Sequence, residues 1–274
     1  MFGKPKQNSI SLEESITHNI PQVSDIENAI LTAPFIIDEV REAIFHMKHN
    51  KAPRPDGFST EFYQAFWEII KDDLLALFME FHNGTLPVYS LNFGIITLLP
   101  KKCNALKIQD YRPICLLNVS FKIITKVLTN RIGVVADKII NPSQTAFMPG
   151  RNILEGVIVL HESMHELHRK KLDGIILKLD FEKAYDKVKW NFLQQAMRMK
   201  GFSPKWCAWI QNIISGGHVG VRVNDDIGPF FRLTRAFDKG ILSHRYCSTL
   251  LLICWQCSLL ERKRRTNSLG SYHT

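Results

Sequence analysis

The sequence predicts an α+β fold, and three observations support this prediction. Long segments carry apolar residues at helical spacing, and short apolar segments of strand length separate them. No internal repeat is visible, so a solenoid or propeller is not expected. The chain has 274 residues, 45% hydrophobic and 22% charged, which is enough apolar material for a sizeable core. This composition argues against a disordered, collagen-like or low-complexity chain.

The first third of the chain predicts a polar lead-in followed by helices. Residues 1–36 are polar and acidic without a sustained period, so we expect them to be linker-like. From Ile37, apolar residues recur at helical spacing as far as Asn50. After a proline-bearing loop, Ser59 is expected to cap a helix that ends at Asn83-Gly84. The expected apolar side of that helix comprises Phe62, Phe66, Ile69, Leu75 and Phe78.

The rest of the chain predicts further helices and short strands. A compact strand fits 93–99, and a buried strand fits 175–179 and ends at Asp180. A hairpin is expected around 224–226. Helices are expected at Ser120–Ile140, Ile153–Lys170, 190–200 and 203–214, the last with Ser203 as N-cap and Pro204 at the first helical position. The expected inward side of the 120–140 helix is Ile124, Val127, Leu128, Ile132 and Val135.

The charge indicates a polyanionic partner. Net charge is +9, and the sequence pI is about 9.3. Residues 51–235 hold 25 Lys/Arg against 17 acids, whereas residues 236–274 hold 6 against 2. Six cysteines without a signal peptide are typical of reduced thiols, and no segment reaches the ~20 apolar residues of a bilayer span. We therefore expect an intracellular protein, in the nucleus or cytoplasm, with no membrane association.

Two short motifs suggest metal or redox chemistry but lack the necessary context. His161-Glu162-Ser163-Met164-His165 matches H-E-x-x-H, which binds zinc when a third ligand follows, and none follows. The alternative is the polar face of an amphipathic helix. Cys254-Trp255-Gln256-Cys257 is a single C-x-x-C without a second ligand pair or a βαβ setting. Neither motif predicts a site.

Asp180 is the most informative carboxylate in the sequence. A carboxylate at the end of a buried strand lies at the rim of a sheet, where it can bind a hard cation and still face solvent. The backbone carbonyl of Phe181 can add a second oxygen. The alternative is that Asp180 caps the following turn.

Several motifs then follow one another in a fixed order. They are Lys51-Ala52-Pro53-x-Pro55-Asp56-Gly57-Phe58, Leu98-Leu99-Pro100-Lys101, Tyr111-Arg112-Pro113-Ile114, Gln144-x-x-Phe147-x-Pro149-Gly150-Arg151 and Asp180-x-x-x-Ala184-Tyr185-Asp186. This set closely resembles the reverse transcriptase domain of plant non-LTR (LINE-type) retrotransposons. The resemblance covers roughly residues 1–235.

The resemblance implies a right-hand polymerase, with fingers and a partial palm over 37–235, a small antiparallel sheet and no thumb. By matched position, Asp180 is the first catalytic aspartate and, with the Phe181 carbonyl, a ligand of the two Mg²⁺ ions. Lys101, Arg112, Ala184 and Tyr185 match residues that bind the incoming nucleotide, Tyr185 by screening its 2′ position. The residues that match a template–primer block are Gln144, Gly150 and Arg151. The implied partners are an RNA template, a DNA primer and deoxynucleoside triphosphates.

The sequence departs from the family pattern at two places. Arg54 stands where the family has glycine. If that glycine has positive φ, an arginine at this position costs about 1 kcal/mol in backbone strain. After Arg235, the family's Gly-x-Arg-Gln-Gly-Asp-Pro block and Ala-Asp-Asp hairpin are missing. Back-translation with one restored base recovers Gly-Phe-Arg-Gln-Gly-Asp-Pro-Leu-Ser-Pro, so residues 236–274 are interpreted as a frameshifted, non-native tail.

This interpretation predicts a truncated and inactive reverse transcriptase, because the second metal-binding carboxylate is missing. Two other hypotheses stay open. One is a residual module that binds RNA or RNA–DNA duplex without catalysis, and the other is a chain that does not fold stably. A zinc hydrolase is the remote alternative.

Overall fold

The fold is a helical layer packed on one face of a small sheet. A computed structural model describes residues 21–49, 55–142, 144–145, 148, 150–174, 190–224 and 226–232. The helices in these ranges are α1 (Asp25–Leu31), α2 (Ile37–Phe45), α3 (Thr60–Ala65), α4 (Trp67–Asn83), α5 (Val119–Ile139), α6 (Ile153–Arg169), α7 (Trp190–Met199) and α8 (Pro204–Ser215). The strands are β1 (Phe93–Pro100), β2 (Tyr111–Leu117), β3 (His218–Val223), β4 (Asp226–Ile227) and β5 (Phe231–Arg232). The predicted α+β class is confirmed.

The segment before α2 is more ordered than the sequence predicted. Residues 21–36, expected to be part of a linker-like lead-in, contain α1 and contribute buried side chains to the core, among them Leu31 and Phe35. The signal was present: Ser24 and Glu27 form a capping box, in which each side chain bonds the other's backbone N–H. A seven-residue helix is too short to show a period, which is why the pattern was missed.

The helix expected after Ser59 is broken into two. Ser59 caps α3 as predicted, accepting a hydrogen bond from the Phe62 amide. The backbone turns at Phe66 and restarts as α4, which ends at Gly84 in the left-handed conformation. The break shifts the helical phase, so the predicted apolar side is wrong in part. Phe78 is buried, but Phe66 and Ile69 are exposed.

Helix α5 is the central element of the core. All five residues predicted to face inward are buried, and Arg131 projects from the same helix to α1 and α2. Its side chain donates to Glu39 and to the carbonyls of Leu31, Ala33 and Pro34, and its guanidinium lies 4.0 Å from the centre of the Phe35 ring. Arg131 thereby fixes the first two helices against α5.

The sheet is mixed. Its strand order is β2-β1-β3-β4, with β5 also paired to β3. The expected hairpin around 224–226 is present, since β3 pairs antiparallel with β4 and β5. The correction concerns β1, which pairs antiparallel with β2 but parallel with β3. Strand β2 itself was recognised only as a motif, because Pro113 obscures its strand character.

One face of the sheet supports the core. Ile96 of β1, Cys115 and Leu117 of β2 and Val219 of β3 are buried in the cluster that includes the helices. Gly94 is required on this face, since a Cβ there would lie 2.6 Å from the Cys115 Sγ. The opposite side of β1, β2 and β3, here called the outer face, carries Thr97, Leu99, Arg112 and Arg222.

Candidate functional site

The predicted site residues divide into those that the structure describes and those that it does not. Outside the described residues lie Asp180, Phe181, Ala184 and Tyr185. Inside them lie Lys101, Arg112, Gln144, Gly150 and Arg151. The structure places the first two at the β1–β2 hairpin and the other three just beyond α5.

The β1–β2 hairpin brings Lys101 and Arg112 to one end of the sheet. Arg112 is paired with Leu99 across the two strands, so both occupy the outer face, and Lys101 is the first residue after β1. The Lys101 Nζ donates to the Gln109 carbonyl at 2.7 Å. Arg112 is exposed, and no hydrogen bond or ion pair engages it in the described part of the chain. The hairpin end therefore presents two cations to solvent.

Asp110 holds the connection between these strands. Its carboxylate accepts hydrogen bonds from the amides of Leu106 and Lys107 and forms a 2.9 Å ion pair with Lys102. The hydrogen bond from Lys102, then those from the backbone, lower the pKa of Asp110. The Lys101 amide also donates to the Asp110 carbonyl at 2.8 Å, which closes the turn. The Asp110 carboxylate is therefore bonded to its own turn and does not pair with Arg112.

The outer face continues onto β3. Arg222 is paired with Thr97, so its side chain belongs to the same face as Arg112 on the other side of β1. Among the described residues, the Nε of Arg222 and the Oγ1 of Thr97 are buried and have no hydrogen-bond partner. Arg222 was not among the predicted site residues, although alternation along 218–223 places His218, Gly220 and Arg222 on one face.

Arg151 organises the segment after α5. Its side chain, only 14% exposed, donates to the carbonyls of Asp137, Ile140, Asn141 and Gln144 and pairs with the Asp137 carboxylate. These include the last carbonyls of α5, which have no partner within the helix. The guanidinium therefore acts first as a helix C-terminal cap.

The other two residues of this block lie in two short turns. The Gln144 amide donates to the Asn141 carbonyl at 2.9 Å, and the side chain of Gln144 is half-buried. Gly150 has φ 76°, in the left-handed region that glycine adopts without strain, and the Arg151 amide donates to the Met148 carbonyl. The described residues of the predicted template–primer block therefore lie just beyond α5, where Arg151 bonds to the Gln144 carbonyl and to the end of the helix.

Comparison with protein families identifies the domain. The profile of the family described as "Reverse transcriptase (RNA-dependent DNA polymerase)" matches residues 99–241, just over half of the chain. The chain belongs to the reverse transcriptase family. The matched range includes both described groups of the site, Lys101 with Arg112 and the turns beyond α5, and it includes the positions of Asp180 and Tyr185.

The relatives of this reverse transcriptase domain are proteins of retrotransposons. The chain is 32% identical to the "Transposon TX1 uncharacterized 149 kDa protein" of Xenopus laevis over 250 residues, which cover 91% of this chain and 19% of that protein. It is 26% identical to a Pol polyprotein from retrotransposable element R2 of Nasonia vitripennis, over 85% of this chain and 22% of the relative. It is 24% identical to the R2DM polyprotein of Drosophila melanogaster, over 65% of this chain and 16% of that protein. The chain is a reverse transcriptase domain of the non-LTR retrotransposon type and spans about a fifth of these relatives.

The H-E-x-x-H motif lies on α6 of the reverse transcriptase domain. His161, Glu162 and His165 are exposed, and α6 buries none of its described side chains. Within the described ranges, no group of three or more His, Cys, Asp and Glu side chains is close enough to hold a metal ion. The C-x-x-C at 254–257 lies outside the described residues.

The predicted magnesium site is a matter of donor chemistry. Asp180 and the Phe181 carbonyl offer the oxygen donors that Mg²⁺ prefers, and the family uses a divalent metal.

In the part of the chain that the structure describes, no helix has both the length and the apolarity to cross a membrane.

Proposed function

We propose that this domain forms the fingers and part of the palm of an RNA-directed DNA polymerase, over residues 37–235. The observation that carries the proposal is that Lys101 and Arg112 both lie exposed at the same end of the hairpin. A guanidinium fork holds phosphate through two parallel hydrogen bonds, and a lysine ammonium contributes a point charge. In this proposal Lys101 and Arg112 contact the triphosphate and base of the incoming deoxynucleotide.

The remaining roles are assigned by motif. Asp180 and the Phe181 carbonyl would hold Mg²⁺, which when bound supplies charge stabilisation for in-line phosphoryl transfer. Tyr185, next to Ala184, screens the 2′ position and so favours deoxynucleotides. The turns of Gln144, Gly150 and Arg151 lie near the RNA template and DNA primer.

We further propose that the 274-residue chain alone is inactive and derives from a plant element. The segment 236–274 lacks the family block and the second carboxylate, and a back-translation with chosen codons and one restored base permits the block in the other frame. The family profile matches as far as residue 241, six residues into this segment. With a single aspartate to bind metal, the primer end and the leaving group are not both stabilised. The chain is proposed to be located inside the cell, in the nucleus or cytoplasm, where its nucleic-acid partners are.

Primer extension tests the assignment. The 274-residue chain and a protein translated from the restored frame are compared on an RNA template with a DNA primer and deoxynucleotides. We expect product only from the restored protein, and Asp180→Ala should abolish it. Product from the 274-residue chain that Asp180→Ala removes would overturn the proposed inactivity. Product from the restored protein that is unchanged in Asp180→Ala would overturn the role of Asp180.

A binding module without catalysis is the second candidate, favoured by the unpaired arginines of the outer face and by the net +8 of residues 51–235. Binding of an RNA–DNA duplex that weakens steeply as salt rises from 50 to 200 mM, roughly tenfold or more, would support it. The absence of binding at 50 mM salt would exclude it.

A further inference from the structure

Arg222 is placed by strand register beside the predicted nucleotide-binding residues. Strand β1 lies between β2 and β3, with Leu99 paired to Arg112 on one side and Thr97 paired to Arg222 on the other. Neighbouring strands are about 4.8 Å apart and the two levels differ by two residues along β1, so the two arginines start about 12 Å from each other, diagonally across the sheet. Both belong to the outer face, with Thr97 between them.

Two polar groups of this part of the outer face have no partner among the described residues. They are the Nε of Arg222 and the Oγ1 of Thr97, and both atoms are buried. A buried guanidinium N–H is unfavourable unless an acceptor reaches it, so unpaired groups of this kind point to an acceptor outside the chain. The register brings the two unpaired atoms onto adjacent strands at the same level.

The surrounding charges also favour an anion here. Asp110, the nearest acid along β2, is already paired with Lys102. Asp226 is paired with Val223, which places it on the opposite face of the sheet from Arg222. The described positions of the outer face on β1, β2 and β3 therefore include cations but no carboxylate.

Other arginines in the described part have a structural role and donate hydrogen bonds to backbone carbonyls. Arg131 and Arg151 each donate to at least three backbone carbonyls, and Arg232 donates to the Ser215 carbonyl. Arg112 and Arg222 make no such bond. The pair on the outer face is therefore distinguished by its free donors.

We propose that Arg222, with the Thr97 hydroxyl, is a third phosphate-binding group that extends the Lys101–Arg112 site across β1. The ligand is the polyphosphate of a nucleotide, because Arg112 and Arg222 share one face of the sheet and Lys101 lies at the end of the same hairpin. This inference rests on the proposed function for the roles of Lys101 and Arg112. The guanidinium of Arg222 and the Thr97 hydroxyl both donate to phosphate oxygens, and no bond is made or broken.

The test measures binding by the 274-residue chain at fixed ionic strength with inorganic tripolyphosphate, dTTP and a twelve-residue oligo-dT as probes. We expect Arg222→Gln to weaken binding of tripolyphosphate and dTTP about tenfold, as Arg112→Gln does. Arg222→Lys, which keeps the charge but loses the fork, should lie between. Arg169→Gln is the matched control, since Arg169 is an exposed arginine paired with Glu166 on α6, and it should bind as the wild type does.

Each other outcome has a separate meaning. Wild-type binding by Arg222→Gln together with weak binding by Arg112→Gln overturns the inference and leaves the proposed function intact. If tripolyphosphate and dTTP bind weakly to Arg222→Gln but normally to Arg112→Gln, the shared site and the proposed role of Arg112 are overturned. If Arg222→Gln weakens binding of the oligonucleotide alone, the ligand is the backbone of a nucleic-acid strand and the nucleotide assignment is overturned.

Chemical modification keeps the test valid if Arg222→Gln does not fold. Phenylglyoxal is applied to the wild-type chain with and without tripolyphosphate, and modified arginines are located by mass spectrometry. We expect tripolyphosphate to protect Arg112 and Arg222 and to leave Arg169 unprotected. Modification of Arg222 at the same rate in both samples would contradict the inference.

Discussion

The helical layer and the outer face of the sheet use arginine in opposite ways. In the helical layer, Arg131 and Arg151 donate hydrogen bonds to backbone carbonyls and carboxylates of their own chain. On the outer face, Arg112 and Arg222 are unpaired among the described residues. A positive charge count alone therefore does not reveal a binding surface. What matters is which guanidinium groups the fold has left without internal acceptors.

The largest expected effect distinguishes the two kinds of arginine by stability. Arg131→Ala removes an ion pair with Glu39 in which the arginine side chain is 10% exposed, together with three carbonyl bonds and the contact with Phe35. We expect a loss of about 3 kcal/mol in the free energy of unfolding, measured by urea denaturation, because the partly buried Glu39 carboxylate and three backbone carbonyls lose their partner.

Arg222→Ala is the counterpart on the outer face. It removes a buried donor without a partner, so we expect the free energy of unfolding to change by less than about 1 kcal/mol. Equal losses in the two variants would show that Arg222 is structural and would remove the distinction.

The next effect concerns the face of the sheet that supports the core. In Gly94→Ala, the new Cβ would lie 2.6 Å from the Cys115 Sγ and 2.9 Å from the Leu117 Cδ2. We expect a loss of about 1–3 kcal/mol by urea denaturation, since a tightly packed face resists an added methyl group. The control is Gly133→Ala on the exposed side of α5, where nothing lies within 4 Å. Gly133→Ala should raise the free energy of unfolding by about 0.5–1 kcal/mol through helix propensity. If Gly133→Ala instead lowered it as much as Gly94→Ala does, close packing at Gly94 would not explain the loss.

The smallest effect is a pH dependence of the helical layer. Lys138, then the Ser24 backbone, hydrogen-bond to Glu27 and lower its pKa from 4.5 to about 2. Because the pKa is lower in the folded state, this stabilisation is present above pH 4.5 and is lost as pH falls towards 2. Glu27→Gln should therefore lower the unfolding free energy at pH 6 and have little effect near pH 2, as followed by urea denaturation. An equal difference at both pH values would contradict this.

Local signals were sufficient for much of the fold. Ser59 and Ser203 were predicted as N-caps, and each accepts the expected backbone N–H. The inward side of α5 followed from its period, because a helix of 21 residues offers several turns on which to observe it. The family assignment followed from motif order, and the family profile confirms it.

Long-range pairing set the limit of sequence reasoning. The break at Phe66 depends on packing that no local pattern records, and the parallel pairing of β1 with β3 joins segments far apart in the chain. Arg222 was missed for the same reason, since its neighbours on the outer face come from β1 and β2. Lys101 and Arg112 could be named from motifs, whereas Arg222 required the strand register.

The parallel pairing has a consequence for synthesis of the chain. Phe93 pairs with His218, some 125 residues later, whereas β1 and β2 are adjacent in sequence. On the ribosome the hairpin can close early, but the other edge of β1 waits until β3 has emerged, and a contact of such high sequence separation forms slowly. During that interval β1 is an open edge that can pair with other chains. The nascent domain is therefore most exposed to aggregation between the completion of β2 and the arrival of β3.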